Sequence, residues 1–273
     1  MRDITIAAIT CEAPVGEIDR NLAATIEWTQ RARAAGADLV CFPELNITGY
    51  CNRVEMAEMA LPVPGRVSQK LSKLSIDENI VVLAGMAEKN PQGTPYASHG
   101  VFTPDGDVRI YRKVHTAPPE KKTYTPGERI PVFKTQKTTF GIQLCFDAHF
   151  PELSSAMTSQ GAEILFFPHA SPRGNAQEKH HSWMRHLTAR AFDNSVFVVA
   201  CNQIGDNCNG LHFPGNAMVI GPSGELIAKD ISPQASMLIT DLKAAELEAV
   251  RSHPMRHFFP HRRPGLYAPE KSK

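Results

Sequence analysis

"ITIAAITCEAPVGEIDRNLAATIEWTQRARAAGADLVCFPE", residues 4–44, sets the architecture of the chain. Its first seven residues are a short apolar run with strand character. A helical stretch follows, with Leu22, Ile26 and Thr29 at helical spacing and Gly36 as its stop. "ADLVCFPE", 37–44, is then an almost unbroken apolar run, which marks a strand covered on both faces. Strand, helix and doubly covered strand predict a layered α/β core.

The same pattern continues downstream. A helix is expected from Arg66 to Asp77 after the Pro-rich "LPVPG", leading into the strand "NIVVLAGMAE" at 79–88. "SHGVFTPDGDVRIYRK" (98–113) and "GNAMVIGPSGELIAKD" (215–230) read as hairpins turning at "PDG" and "PSG". Between them lie "TTFGIQL", "AEILFFP" and "SVFVVACN", each next to a helical stretch. Parallel-type buried strands mixed with meander hairpins favour a four-layer α-β-β-α sandwich over a Rossmann sheet. One domain, 1–253, is expected to carry the function. The Pro-rich, basic end of the chain suggests an extended arm over 254–273, packed at an oligomer interface.

Composition narrows the function. With 42% hydrophobic residues there is material for a large core, and a net charge of +1 offers no field to hold a polyanion, so nucleic acid is not an expected partner. No G-x-G-x-x-G follows the first strand and no P-loop occurs. "MRDITIAAIT" reads as a first strand, and no apolar run approaches the ~20 residues of a membrane helix, so a cytoplasmic, membrane-free protein is expected. The cysteines at 11, 41, 51, 145, 201 and 208 contain no C-x-x-C pair, which gives a zinc site no support. In "NAQEKHHSWMRHLTARAFDN" (175–194), His180, Trp183, Leu187 and Ala191 form one inward stripe while His181 and Arg185 turn aside. The histidines there, His186 included, therefore read as packing residues and not as metal ligands.

Three polar residues close three strand-like runs: Glu44, Lys113 and Cys145. Strands of one core deliver their ends to a common rim, so a carboxylate, an ammonium and a thiol can converge there. Such a set suits attack on a carbon bonded to nitrogen: a base for the thiol proton, a fixed cation for the developing oxyanion, and a nucleophile. Pro151 fits the first turn of a helix just beyond Cys145, and a helix end there would favour thiolate.

"DLVCFPELNITGY" (38–50), "YRKVH" (111–115) and "GIQLCFDAHFPE" (141–152) resemble, in order and at the usual separations, the glutamate, lysine and cysteine motifs of the nitrilase superfamily of carbon-nitrogen hydrolases. "ARAFDNSVFVVACNQIG" (189–205) is similar to a further segment of that family. The resemblance implies a homo-oligomer of α-β-β-α sandwiches with no metal and no organic cofactor, acting on a small-molecule amide or N-carbamoyl substrate through a thioester at Cys145. It implies a second glutamate, matched best by Glu120; Glu128 lies beyond the Pro-Gly and matches less well. It also places the backbone N–H of Phe146 at the oxyanion, His149 at the pocket edge, and His169 and Ser171 of "FPHASPRGN" (167–175) at the substrate side. Arg190 and Asn194 are read as structural anchors. The rival readings are a nitrilase, which would add the same thiol to a nitrile, and a catalytically silent interaction protein on the same fold.

Overall fold

The computed structural model describes residues 1–267. In β1 (Ile4–Thr10), period-two alternation divides the core: Ile6 and Ala8 join one apolar cluster, Ala7 and Ile9 another. The second cluster receives Leu22 and Ala32 from α1 (Ile18–Ala34). β2 (Leu39–Cys41) repeats the division, with Leu39 and Cys41 on the first side and Val40 on the second. The short α2 (Met56–Met59) precedes α3 (Arg66–Glu78), which lays Val67, Leu71 and Leu74 beside α1 on the same face. It ends at Asn79, whose φ of 50° lies in the left-handed region that terminates helices. β3 (Val81–Glu88) is buried along its whole length, and β4 (Tyr96–Phe102) and β5 (Val108–Arg112) form the expected hairpin.

The second half mirrors the first. β6 (Phe133–Lys134), β7 (Thr139–Ile142), α4 (Pro151–Ser159), β8 (Ile164–His169), α5 (Ala176–Asn194) and β9 (Phe197–Asn202) follow in turn. A small ribbon, β10 (Ile204–Asp206) with β11 (His212–Pro214), stands outside both main sheets and has no counterpart in the sequence reading. β12 (Ala217–Ile220) and β13 (Leu226–Asp230) are the second hairpin; β14 (Ser236–Leu242) then returns to pair antiparallel with β1, and α6 (Ala244–Arg251) follows. The sheets are ordered β14-β1-β2-β3-β4-β5 and β13-β12-β9-β8-β7-β6. In each, three parallel strands form the centre and antiparallel strands the flanks, hairpin strands except for β14, which comes from the far end of the chain to pair with β1.

The two sheets face each other across the first cluster, where Ile6, Leu39 and Leu83 meet residues of β7, β8 and β9. α1 and α3 cover one outer face; α4 and α5 cover the other through Leu153, Met157, Trp183 and Leu187. This is the α-β-β-α sandwich expected from the sequence. Across its middle, Cys41 and Cys201 bring their sulfurs to 4.0 Å as buried free thiols. Beyond α6 the arm makes two 3₁₀ turns, at Phe259–His261 and Pro264–Leu266, with Met255, Leu266 and Tyr267 exposed. The rest of the expected arm, 268–273, lies outside the described residues. Among the described residues, no helix is long and apolar enough to cross a membrane.

Candidate active site

Glu44, Lys113, Glu120 and Cys145 meet where β2, β5 and β7 end. β2 stops at Cys41, and Phe42–Glu44 leave the strand, so the apolar run is less strand-like at its end than its composition predicts. Leu45 turns the chain with φ of 56°, and Gln203 Nε2 donates to the Glu44 carbonyl at 2.8 Å. The Glu44 side chain is thereby fixed in the interior, fully buried. Lys113 continues β5, and its buried ammonium donates to Glu44 Oε1 at 2.7 Å and to Glu120 Oε1 at 3.0 Å. Glu120, in the 3₁₀ turn Pro118–Glu120, also accepts from the Tyr50 hydroxyl at 3.0 Å and the Ala117 N–H at 2.8 Å. Glu128 is exposed on the far side of the Pro-Gly turn.

Two carboxylates around one lysine make a buried cluster with an excess negative charge, and the electrostatics follow from that. Burial pushes the Glu44 carboxyl up to about 7, against the pull of Lys113 and with Glu120 adding to the rise. Burial alone would lower the Lys113 ammonium, but Glu44 and Glu120 outweigh it and hold the group well above its ordinary value. Lys113 is therefore a permanent cation, and Glu44 is poised to gain or lose a proton near neutrality.

Cys145 begins the 3₁₀ turn Cys145–His149, and its φ of 43° is a left-handed conformation that a non-glycine residue adopts at a cost. Asp147 anchors this turn. Its buried carboxylate accepts from the Leu144 N–H (3.0 Å), the Tyr111 hydroxyl (2.7 Å) and the His115 N–H (2.8 Å), tying the nucleophile turn to the segment that carries Lys113. From α5, Arg190 donates to the Ala148 carbonyl at 3.0 and 3.2 Å, and Asn194 Nδ2 donates to the Arg190 carbonyl at 2.9 Å, both acting as anchors. The expectation that a helix end lowers the thiol pKa does not hold. Burial pushes the Cys145 thiol up to about 12, and the Glu44 charge adds to this more than Lys113 subtracts. The turn is a single 3₁₀ stretch with little dipole to set against that.

Cys145 opens into a cavity of about 820 Å³ whose walls include Tyr50, Glu120, Phe146, His149, Ser171 and Arg173. His149 stands exposed at its edge, its ring 5.5 Å from that of Phe146. Ser171 follows Ala170, whose N–H donates to Glu44 Oε2 at 3.1 Å. His169 is not among the lining residues, contrary to the placement expected from the sequence. It shares the face of β8 with Leu165 and Phe167; its ring packs 4.2 Å from Trp183 of α5, and its Nδ1 pairs with the Phe167 carbonyl at 2.7 Å. On α5, His180, Trp183, Leu187 and Ala191 are buried while His181 and Arg185 face outward. Among the described residues, no three His, Cys, Asp or Glu side chains are grouped as metal ligands.

Sequence reasoning missed Tyr50, Asp147 and Tyr111. Tyr50 and Asp147 fall inside the glutamate and cysteine motifs, and Tyr111 opens the lysine motif. Their proximity to the site was a signal; their partners were not.

Comparison with known proteins agrees with this fold. Residues 5–252 match the carbon-nitrogen hydrolase family. An (R)-stereoselective amidase of Pseudomonas sp is 30% identical over 78% of this chain and 75% of its own length. N-carbamoylputrescine amidase of Solanum lycopersicum is 29% identical over 97% and 94%, and omega-amidase NIT2 of Homo sapiens is 28% identical over 93% of each chain. Among solved structures, Nit3 of Saccharomyces cerevisiae, a member of branch 10 of the nitrilase superfamily, superposes with a TM-score of 0.83 at 25% identity, covering 92% of this chain and 94% of its own. A mutant of the Nesterenkonia AN1 amidase shares the fold with a TM-score of 0.82 at 24% identity, covering 97% and 95%. With the sandwich, the motif order and the match along nearly its whole length all in agreement, the chain belongs to the carbon-nitrogen hydrolase family and is an enzyme of that class.

Proposed function

We propose that this enzyme hydrolyses the C–N bond of a small amide or N-carbamoyl compound through a thioester on Cys145. The observation that carries the reading is the Lys113 ammonium, buried between Glu44 and Glu120 behind the cavity wall that Glu120 and Cys145 help to form. Support also comes from the relatives named as amidases, and from the Nesterenkonia amidase, in which the acetamide moiety of fluoroacetamide adds covalently to the active-site cysteine.

Burial and the Glu44 charge hold the Cys145 thiol high, so a free thiolate ahead of attack is strongly disfavoured. Proton transfer to Glu44 therefore accompanies attack of the sulfur on the carbonyl carbon. The carbonyl oxygen becomes an oxyanion between the Lys113 ammonium and the N–H of Phe146, which stands in the first turn of its 3₁₀ stretch and has no intrahelical partner by position. Glu44 returns the proton to the departing nitrogen, the C–N bond breaks, and ammonia or an amine leaves. Water then attacks the acyl-enzyme as Glu44 takes its proton and passes it to the leaving sulfur, restoring the thiol; an amide gives the carboxylic acid, and an N-carbamoyl compound gives carbamic acid, which breaks down to carbon dioxide and ammonia. Glu120 and Tyr50 hold Lys113 in register.

The ionised form of Glu44 is the active one, so kcat/KM will fall about tenfold for each pH unit below about 7. Ammonia release from small amides, N-carbamoyl compounds and nitriles, followed from pH 5 to 9, checks both the limb and the reaction. A flat profile across pH 6 would remove Glu44 as the base, and nitriles turned over in preference to amides would favour the nitrilase alternative. We place the enzyme in the cytoplasm as a homo-oligomer. Exposed Met255, Phe258, Leu266 and Tyr267 support an interface along the arm.

A further inference from the structure

The charges around the cavity do not balance. Glu120 is the single carboxylate-bearing residue lining the cavity among the described residues, and its oxygens are occupied by Lys113, Tyr50 and the Ala117 N–H. Arg173 lines the same cavity and pairs with no carboxylate among the described residues. Behind the wall lies a second unpaired cation. Lys179, in the first turn of α5, is only 6% exposed, and its one hydrogen-bond partner among the described residues is Ser171 Oγ, at 2.6 Å. A buried ammonium without an anion carries a desolvation cost that nothing here repays. Burial lowers its pKa, and the Cys145 side chain is within electrostatic reach.

Ser171 is fixed in place. Its N–H donates to Asn202 Oδ1 at 2.9 Å, its carbonyl accepts from Asn202 Nδ2 at 3.1 Å, and its neighbour Ala170 holds Glu44. Because the ammonium of Lys179 can only donate, Ser171 Oγ accepts from it and keeps its own hydroxyl proton for the cavity. The wall near the reacting centre thus offers an oriented hydroxyl donor with a cation behind it, and a planar guanidinium at a second point. Both suit an anion, and the fork of Arg173 suits a carboxylate in particular. A substrate with a distal ammonium would meet two like charges and no unengaged carboxylate to offset them.

We propose that Ser171 and Arg173, with Lys179 as the positioning residue for the Ser171 hydroxyl, anchor a carboxylate carried by the substrate beyond its scissile amide, which makes the substrate class an ω-amide or N-carbamoyl acid and not an amino-amide. This rests on the amide-hydrolase reading above and narrows it.

The test compares three amides of matched length: the half-amide of glutaric acid, valeramide and 5-aminovaleramide. The half-amide should exceed valeramide in kcat/KM by at least about tenfold, mainly through KM, with the amino-amide poorest. In Arg173→Gln and in Lys179→Met, the ratio of half-amide to valeramide kcat/KM should collapse toward one, while Lys179→Arg keeps most of it. A wild-type ratio near one, a preference for the amino-amide, or variants that leave the ratio unchanged would overturn the anchor. Turnover of valeramide decides the amide-hydrolase reading separately. Should none of the three amides be hydrolysed, binding to Cys145→Ala still reads the anchor: the half-amide must bind more tightly than valeramide, and equal affinities would refute it.

Discussion

A Cys145→Ala variant will fold as its parent does and release no ammonia from any amide. The side chain stands only partly buried at the cavity, so its loss removes one sulfur atom without opening the core. The turn that carries it is held by Asp147 and Arg190, not by the sulfur. The melting temperature should move by no more than a few degrees, whereas kcat should fall by about 10⁴-fold or more, since the remaining groups have no nucleophile to activate. Measurable turnover by this variant would mean that water attacks directly and that the thioester scheme is wrong.

Lys113→Met should damage stability and activity together. The methionine fills nearly the same volume, but Glu44 and Glu120 are left buried and facing each other without their shared cation. Breaking a buried ion cluster from one side costs about 3–5 kcal/mol, and loss of the oxyanion cation costs roughly 10²–10³ in kcat. The pH dependence separates this from simple misfolding. Glu44 already sits near 7 with Lys113 present, and without the ammonium it moves higher. A carboxyl whose folded pKa is raised destabilises the fold once it must ionise, so the deficit will be largest above pH 7 and will shrink as the pH falls toward 5. Thermal denaturation of parent and variant across that range checks it. A deficit that grew on acidification would contradict the assignment of a buried carboxylate pair.

Much of this site could be read in the chain before folding, because buried strands have a strong signature and their last residues are easy to see. Glu44, Lys113 and Cys145 stand out as polar residues closing apolar runs, and both hairpins follow from their turn residues. The partners that position the site were not legible, since they act across long separations. Tyr50 reaches Glu120, and Tyr111 reaches Asp147, only after two sheets have stacked. The thiol was misjudged for a related reason: a local cue, the helix start, was weighed without the burial and the Glu44 charge that tertiary structure imposes. His169 could have been placed by alternation alone, because β8 puts it on the same face as Phe167, toward the stripe of α5 that bears Trp183.

The central claim is that the acyl group passes through Cys145. Wild-type enzyme mixed with an excess of a small amide and hydroxylamine, with samples acid-quenched during turnover and the peptide bearing residue 145 analysed by mass, tests it most directly. The scheme predicts that peptide heavier by the acyl group, and hydroxamate formed at the expense of acid. Ammonia released with Cys145 unmodified at every quench time and no hydroxamate formed would contradict it.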